Sequence, residues 1–323
     1  MVGVAGRGGP SGETQLFLGK DGLGVEVVDG NRYEGQFRDG LPHGAGRKTW
    51  ASGDAYDGEW ESGARHGQGT ATYSSGARYA GSFAEGVFEG KGRFTWPDGT
   101  FYEGEWRNGR EHGRGLKQWP DSESYHGEWR SGLRHGQGRA VFANKDCYVG
   151  DFADGQEHGD GLYTWVDGEV FGGEFVDGKP HGLGVKSWPD GEKYSGDWFE
   201  GERSGHGVWT GPTGDDYKGD YKRDKRNGVG VYMFASGASG ATYEGDFKDG
   251  KPHGTGVYTF RSGKKTLDTY KNGEEVSSQA YNAGIGEALI RKAKDAADIA
   301  LAGATKADKV LQRCQQRAKS IRQ

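Results

Sequence analysis

Seven of the nine histidines, His43, His66, His112, His135, His158, His181 and His253, occupy one recurring place in the sequence, immediately before a glycine. A row of imidazoles invites a metal or acid–base reading. Successive members fall a whole period of sequence apart, about 10 Å if each period adds two strands, too far for two of them to share one zinc ion. They are read as turn histidines that donate hydrogen bonds to backbone. The carboxylates, for example Glu103 and Glu105 or Asp151 and Asp154, recur as one solvated strand face and offer no unique acid pair. Cys147 and Cys314, the 2 cysteines of the chain, lack the Cys-x-x-Cys spacing that metal or redox work needs and are too few for a disulfide framework, which suggests a reducing compartment. No calcium loop, phosphate-binding Gly-Lys-Ser/Thr loop or Gly-x-Ser-x-Gly elbow is present. Gly-x-Gly pairs are frequent, but each follows a turn and enters a strand. No helix terminus is therefore set to hold a phosphate, and dinucleotide binding is disfavoured. The expectation is a chain that is not an enzyme and has no cofactor and no metal.

The elements that would carry these residues follow from one period. Tyr-x-Gly recurs at Tyr33, Tyr56, Tyr79, Tyr102, Tyr125, Tyr148, Phe171, Tyr194 and Tyr217, each 23 residues after the last. A tenth copy starts 3 residues late at Tyr243, after a turn lengthened within residues 235–240. Within a copy, Tyr102, Gly104 and Trp106 share one face by the period of two, and Glu103, Glu105 and Arg107 share the other. Asn108-Gly109, Asp39-Gly40, Asp154-Gly155 and Asp249-Gly250 supply the positive φ a reversal needs. A second strand runs from a glycine pair to a ring, as in Gly113, Gly115 and Trp119. Pro97-Asp98-Gly99 and Pro189-Asp190-Gly191 then pass the chain on. Glycine between two aromatics leaves a slot for a neighbouring ring.

Only 32% of residues are hydrophobic, which argues against one large globular core. Yet 10 Trp, 16 Tyr and 14 Phe argue equally against disorder. The 63 glycines do not fall at every third residue, which excludes a collagen helix. A single hairpin is too small to be stable, so neighbour-on-neighbour stacking must hold the array.

The text Tyr-Glu-Gly-Glu-Trp-x-x-Gly-x-x-His-Gly-x-Gly, as at Tyr102 to Gly115, closely resembles the repeat of the MORN (membrane occupation and recognition nexus) family. The resemblance covers about residues 19–273. It implies an all-β repeat fold, an elongated single antiparallel sheet of tandem β-hairpins, acting as a protein-binding or membrane-apposing module in cytoskeletal, ciliary and junctional assemblies. Some members carry a lipid kinase or methyltransferase domain, for which this sequence has no room. Three copies depart from the pattern. The third has Glu89 in place of histidine, and the eighth has Ser204 with a displaced His206. The ninth has Asn227 and lacks a turn glycine at Asp224. Copies eight and nine are read as a bend or a partner site.

The expected organisation is a disordered segment 1–18, the repeat array 19–273 with half-units at both ends, and a linker plus C-terminal amphipathic helix in 274–323. From Gly284, Ile285, Leu289, Ala293, Ala296, Ala300, Ala304, Ala307, Leu311, Cys314, Ala318 and Ile321 recur at helical spacing, with Gly303 as a candidate break. Residues 284–323 carry nine Lys/Arg against four Asp/Glu, net +5, which leaves −10 for residues 1–283 given the chain's net charge of −5. Opposite charges let the helix pack on its own sheet or dock on a partner or acidic surface. The rings Tyr56, Trp60, Tyr102, Trp106, Tyr125, Trp129, Tyr194 and Trp198 are the candidate partner-binding groove.

No signal-peptide core, no run of about 18 apolar residues and no myristoylation glycine is present, since Val2 follows Met1. The expectation is a cytoplasmic, cytoskeletal protein of a cilium or flagellum. Its partners would be proteins of a cytoskeletal or axonemal complex, with homodimerisation through exposed edge strands or the helix, weak phospholipid contact and no nucleic acid. The competing reading, a peripheral tether on acidic phospholipid, is opposed by the acidic charge of the array.

Overall fold

The structure is a computed structural model that describes residues 20–235 and 240–321. The proposed disordered segment 1–18 lies outside the described residues, as does most of the lengthened turn. Among the described residues there are 23 strands and one helix. The chain divides into two compact units, residues 1–136 and 137–323. In each, strands follow one another in an open antiparallel meander of hairpins, and the C-terminal helix, Ala283–Ile321, belongs to the second. The fold class expected from the period is the one observed.

Each copy is one hairpin with a built-in bulge. In the second copy Tyr56 pairs with Ala71 and Gly58 with Gly69, and the register then shifts so that Glu59 faces His66. The shift takes up Gly67, whose φ of +55° suits glycine. It also leaves the Gln68 N–H without a strand partner, and that N–H donates to Glu59 Oε1 at 2.9 Å. The same bond recurs from Arg114 to Glu105 (3.0 Å), from His206 to Asp197 (2.8 Å) and from Val229 to Asp220 (2.7 Å). The carboxylate that most copies carry in the fourth place is therefore a backbone partner, where the sequence alone suggested only a solvated face.

The core of each unit is a ladder of rings laid over glycines. A Cβ on Gly69 would strike the Tyr56 ring, and a Cβ on Gly46 would strike Tyr33. The tyrosine hydroxyl reaches past the glycine pair, so that Tyr56 donates to the carbonyl of Glu59 at 2.9 Å and of His66 at 3.2 Å. Trp60 then meets Tyr33 and Tyr56 edge-on, at centroid distances of 5.3 and 5.1 Å. The ladder runs on through Phe83, Tyr79, Trp106, Tyr102 and Trp129 in the first unit. The second unit repeats it from Tyr148 and Phe175 to Tyr243 and Tyr270. Edge-to-face contacts of this kind add about 0.5–1.5 kcal/mol each beyond their buried area.

Two sequence expectations change here. Residues 274–280, expected as linker, form the strand Glu274–Ala280, paired with Lys265–Lys271 through a reversal at Asn272-Gly273. Asn272 takes a φ of +55°, which makes the degraded last half-unit a complete hairpin. Gly303 does not break the helix, which is continuous from Ala283 to Ile321.

Candidate functional site

The eight rings proposed as a groove sit inside the two ladders. Tyr56, Tyr102, Tyr125 and Tyr194 are 0% exposed, and Trp60, Trp106, Trp129 and Trp198 are 4–6% exposed. Their ring surfaces are taken up by one another and by backbone, with Trp60 Nε1 donating to the Gly46 carbonyl at 2.9 Å and Trp106 Nε1 to Gly92 at 3.0 Å.

A second row lies on the same face and is only half-buried. Because Lys48 pairs with Tyr56, both Lys48 and Trp50 lie on the tyrosine side, and Tyr73, Trp96 and Trp119 occupy the place of Trp50 in the next three copies. Lys117 Nζ lies 4.6 Å from the Trp96 ring centroid and 5.5 Å from that of Trp119. It is also 2.9 Å from Glu111. In the second unit Lys186 lies between Trp165 and Trp188 at 4.5 and 5.0 Å and pairs with Glu169 at 2.6 Å. The sequence displays these rings as the ends of the second strands. The residue two places earlier, Lys48, Ala71, Phe94 or Lys117, varies from copy to copy, which periodicity alone does not weigh.

The opposite face differs between the units. In the second it seats the helix, whose residues Ala293, Ala300 and Ala307 are 0% exposed and Cys314 1%. These are seven residues apart. Seven helical residues rise about 10.5 Å, and two strands advance about 9.6 Å, so one heptad passes one repeat. Beneath lie Leu162, Val185, Val208, Val231 and Val257, the residues that follow the glycine pair in copies six to ten; in copies one to five that place holds Arg47, Thr70, Arg93, Leu116 and Arg139. This switch to a wholly aliphatic set, which the sequence analysis did not weigh, marks which half of the array carries a cover. Gly172 completes the seat, since a Cβ there would collide with Leu311.

Charge fixes the direction of the helix. Lys292 faces Asp246 at 3.3 Å near its start, and Arg313 and Arg317 face Asp160 and Asp151 at 3.1 and 2.8 Å near its end. Asp308 pairs with Lys193 at 2.9 Å. Burial holds the Glu244 carboxyl above its ordinary range, with Lys294 and Lys265 pulling it down. Burial likewise pushes the Cys314 thiol up to about 11, so it is a packing residue and a poor nucleophile at neutral pH.

At the histidine place two side chains act as acceptors, where donors were expected. His253 Nδ1 accepts from the Asn272 N–H at 3.3 Å, and Glu89, at the histidine place of the third copy, accepts from Asn108 at 2.9 Å. In these two copies the side chain is an acceptor for the next turn. The departures in copies eight and nine are also internal. His206 Nδ1 lies 2.8 Å from Asp220, and Arg203 lies 3.2 Å from Asp224, while the strands keep the register of the other copies. Among the described residues no group of His, Cys, Asp or Glu is arranged to hold a metal ion, and no helix is long and apolar enough to cross a membrane.

The MORN repeat family matches ten times, at residues 33–55, 56–78, 79–101, 102–124, 125–147, 148–170, 173–193, 194–216, 217–239 and 243–265. The chain belongs to the MORN repeat family. The seventh MORN match begins after Phe171-Gly172, the place where the helix seat replaces the usual residue. Curated proteins give no match to the sequence. Among solved structures, the TCP domain of SAS-4 (dCPAP) from Drosophila melanogaster, in complex with a proline-rich motif of Ana2 (dSTIL), is 12% identical. It aligns over 47% of this chain and 83% of that one with a TM-score of 0.30. The TCP10 domain of Danio rerio CPAP with a peptide of Danio rerio STIL is also 12% identical, over 82% and 98%, with a TM-score of 0.29. At these scores nothing about function follows from either likeness.

Proposed function

We propose that this MORN repeat chain is a non-enzymatic scaffold that binds other proteins within a cytoskeletal assembly, with a ciliary or flagellar axoneme as its setting. The observation that supports it most is the half-buried row Trp50, Tyr73, Trp96 and Trp119, one ring per repeat on the tyrosine face of the first unit. Such a row offers many similar contacts along a line and no convergence of acid, base and nucleophile. Aromatic anchors of this kind suit protein partners. The setting comes from the family resemblance. A phospholipid tether would need the basic helix, whose small-residue stripe faces the sheet and whose Lys292, Arg313 and Arg317 already meet carboxylates.

Cells expressing a tagged full-length chain are extracted with non-ionic detergent, and the purified protein is spun with vesicles containing acidic phospholipid. Retention in the detergent-resistant pellet without vesicle binding is the expected result. Release with the membranes, together with vesicle binding, would replace the scaffold by the tether.

A further inference from the structure

In the second copy the residue two places before the half-buried ring is small. At the place where copies one, three and four carry Lys48, Phe94 and Lys117, this copy has Ala71. The missing side chain leaves an open cavity of about 470 Å³ inside the first unit. Ala64 and Ala71, the rings of Trp50 and Tyr73, and the cations Lys48 and Arg65 are among the residues that line it. Lys48 Nζ is 5.6 Å from the Trp50 ring, and Arg65 donates to the Gly86 carbonyl at 2.6 Å. Neither cation has a carboxylate partner among the described residues. The one nearby acid, Asp54, accepts the Ser74 N–H at 2.7 Å and is committed to the turn.

We propose that this cavity is a binding site for an extended, proline-rich segment of a partner protein that also carries acidic residues. The inference rests on the protein-binding reading above and adds the chemistry of the ligand. Three observations converge on it. Rings that wall a shallow slot accept a proline ring without a cost in ligand entropy, because a polyproline II chain is already extended. The period fits as well: three residues of polyproline II advance about 9.3 Å, and one repeat of two strands advances about 9.6 Å. A proline at every third position would thus meet Trp50 and Tyr73, and then Trp96 and Trp119, in step. Finally, the unpaired charges at the rim are both positive, so an adjoining carboxylate on the segment finds Lys48 and Arg65.

The test is isothermal titration of the full chain with a synthetic peptide of Pro-Pro-Glu triplets, beside one with glycine for proline and one with lysine for glutamate. Ala71→Phe fills the cavity with the residue the third copy carries at this place, so the hairpin should fold. Should its thermal transition shift, Ala71→Lys, the residue of copies one and four, replaces it. The expected result is binding of the first peptide, at least about tenfold weaker to the filled variant and to either altered peptide. No binding to the wild-type chain, or equal binding to the filled variant or to the glycine peptide, would overturn the proposal. The scaffold reading survives that outcome, since it depends on the cellular fraction and not on this ligand.

Discussion

The pair that builds this molecule is a tyrosine and the two glycines beneath it. Burial pushes the Tyr33 and Tyr56 phenols up to about 12 from an ordinary value of 10.0, against the pull of their backbone hydrogen bonds. A phenol whose folded pKa is raised keeps its proton in the native state while the unfolded chain has begun to lose it. The unfolded state then binds fewer protons, so stability falls as pH rises. Stability should be level below pH 10 and decline between about pH 10 and 12, with tyrosinate absorbance appearing together with loss of the far-ultraviolet strand signal. Absorbance that rises well before the strand signal changes would show that the rings ionise in the folded state. Gly69→Ala tests the other half of the pair. Its Cβ meets the Tyr56 ring, and overpacking of this kind costs about 1–3 kcal/mol, read as a lower urea midpoint. The tyrosine–glycine pairing was legible in the sequence because ten copies repeat it. The fourth-place carboxylate was not, because its partner is a backbone N–H exposed only by the bulge, and a bulge leaves no mark in an alternating pattern.

The helix belongs to a larger scale. Its existence, its charge and most of its buried stripe follow from alanine spacing and the loss of glycine. Its seat did not emerge from the same reading, because the decisive contrast, Val185 and Val257 against Arg47 and Arg93, compares distant copies place by place. The seat is built for small residues, so Ala300→Leu and Ala307→Leu should lift the helix or strain it by about 1–3 kcal/mol. Gly303→Ala should act in the other direction. Nothing lies within 4 Å of the added methyl, and alanine in a helix interior is worth about 1 kcal/mol over glycine. The check for all three is helix protection in native-state hydrogen exchange, expected to rise for the glycine variant and to fall for the leucine ones. A Gly303→Ala chain with less protection would mean that the helix needs a bend at that point.

At the scale of the whole molecule, the two units share one repeat and differ in what covers them. The array has a net charge of −10 over residues 1–283 and the helix segment +5 over 284–323, so the helix lowers the charge density of the unit it joins. In repeat proteins each hairpin is stabilised by its neighbours, so loss of a cover should be felt where it lay and fade within a few copies. Deleting residues 284–323 uncovers Leu162, Val185, Val208, Val231 and Val257 and unpairs Asp151, Asp160 and Asp246. Exchange protection should then drop in the strands from Cys147–Ala153 to Lys251–Thr259, and dyes that report exposed apolar surface should bind. Strands from Gly22–Val28 to Arg110–Gln118, whose corresponding face is already polar, should keep their protection. A loss spread evenly over all strands would mean that the array folds as one cooperative block, in which case the helix would stabilise repeats it never touches. The local outcome makes the polar copies a rigid, permanently open platform and the aliphatic copies a surface open only when the helix leaves.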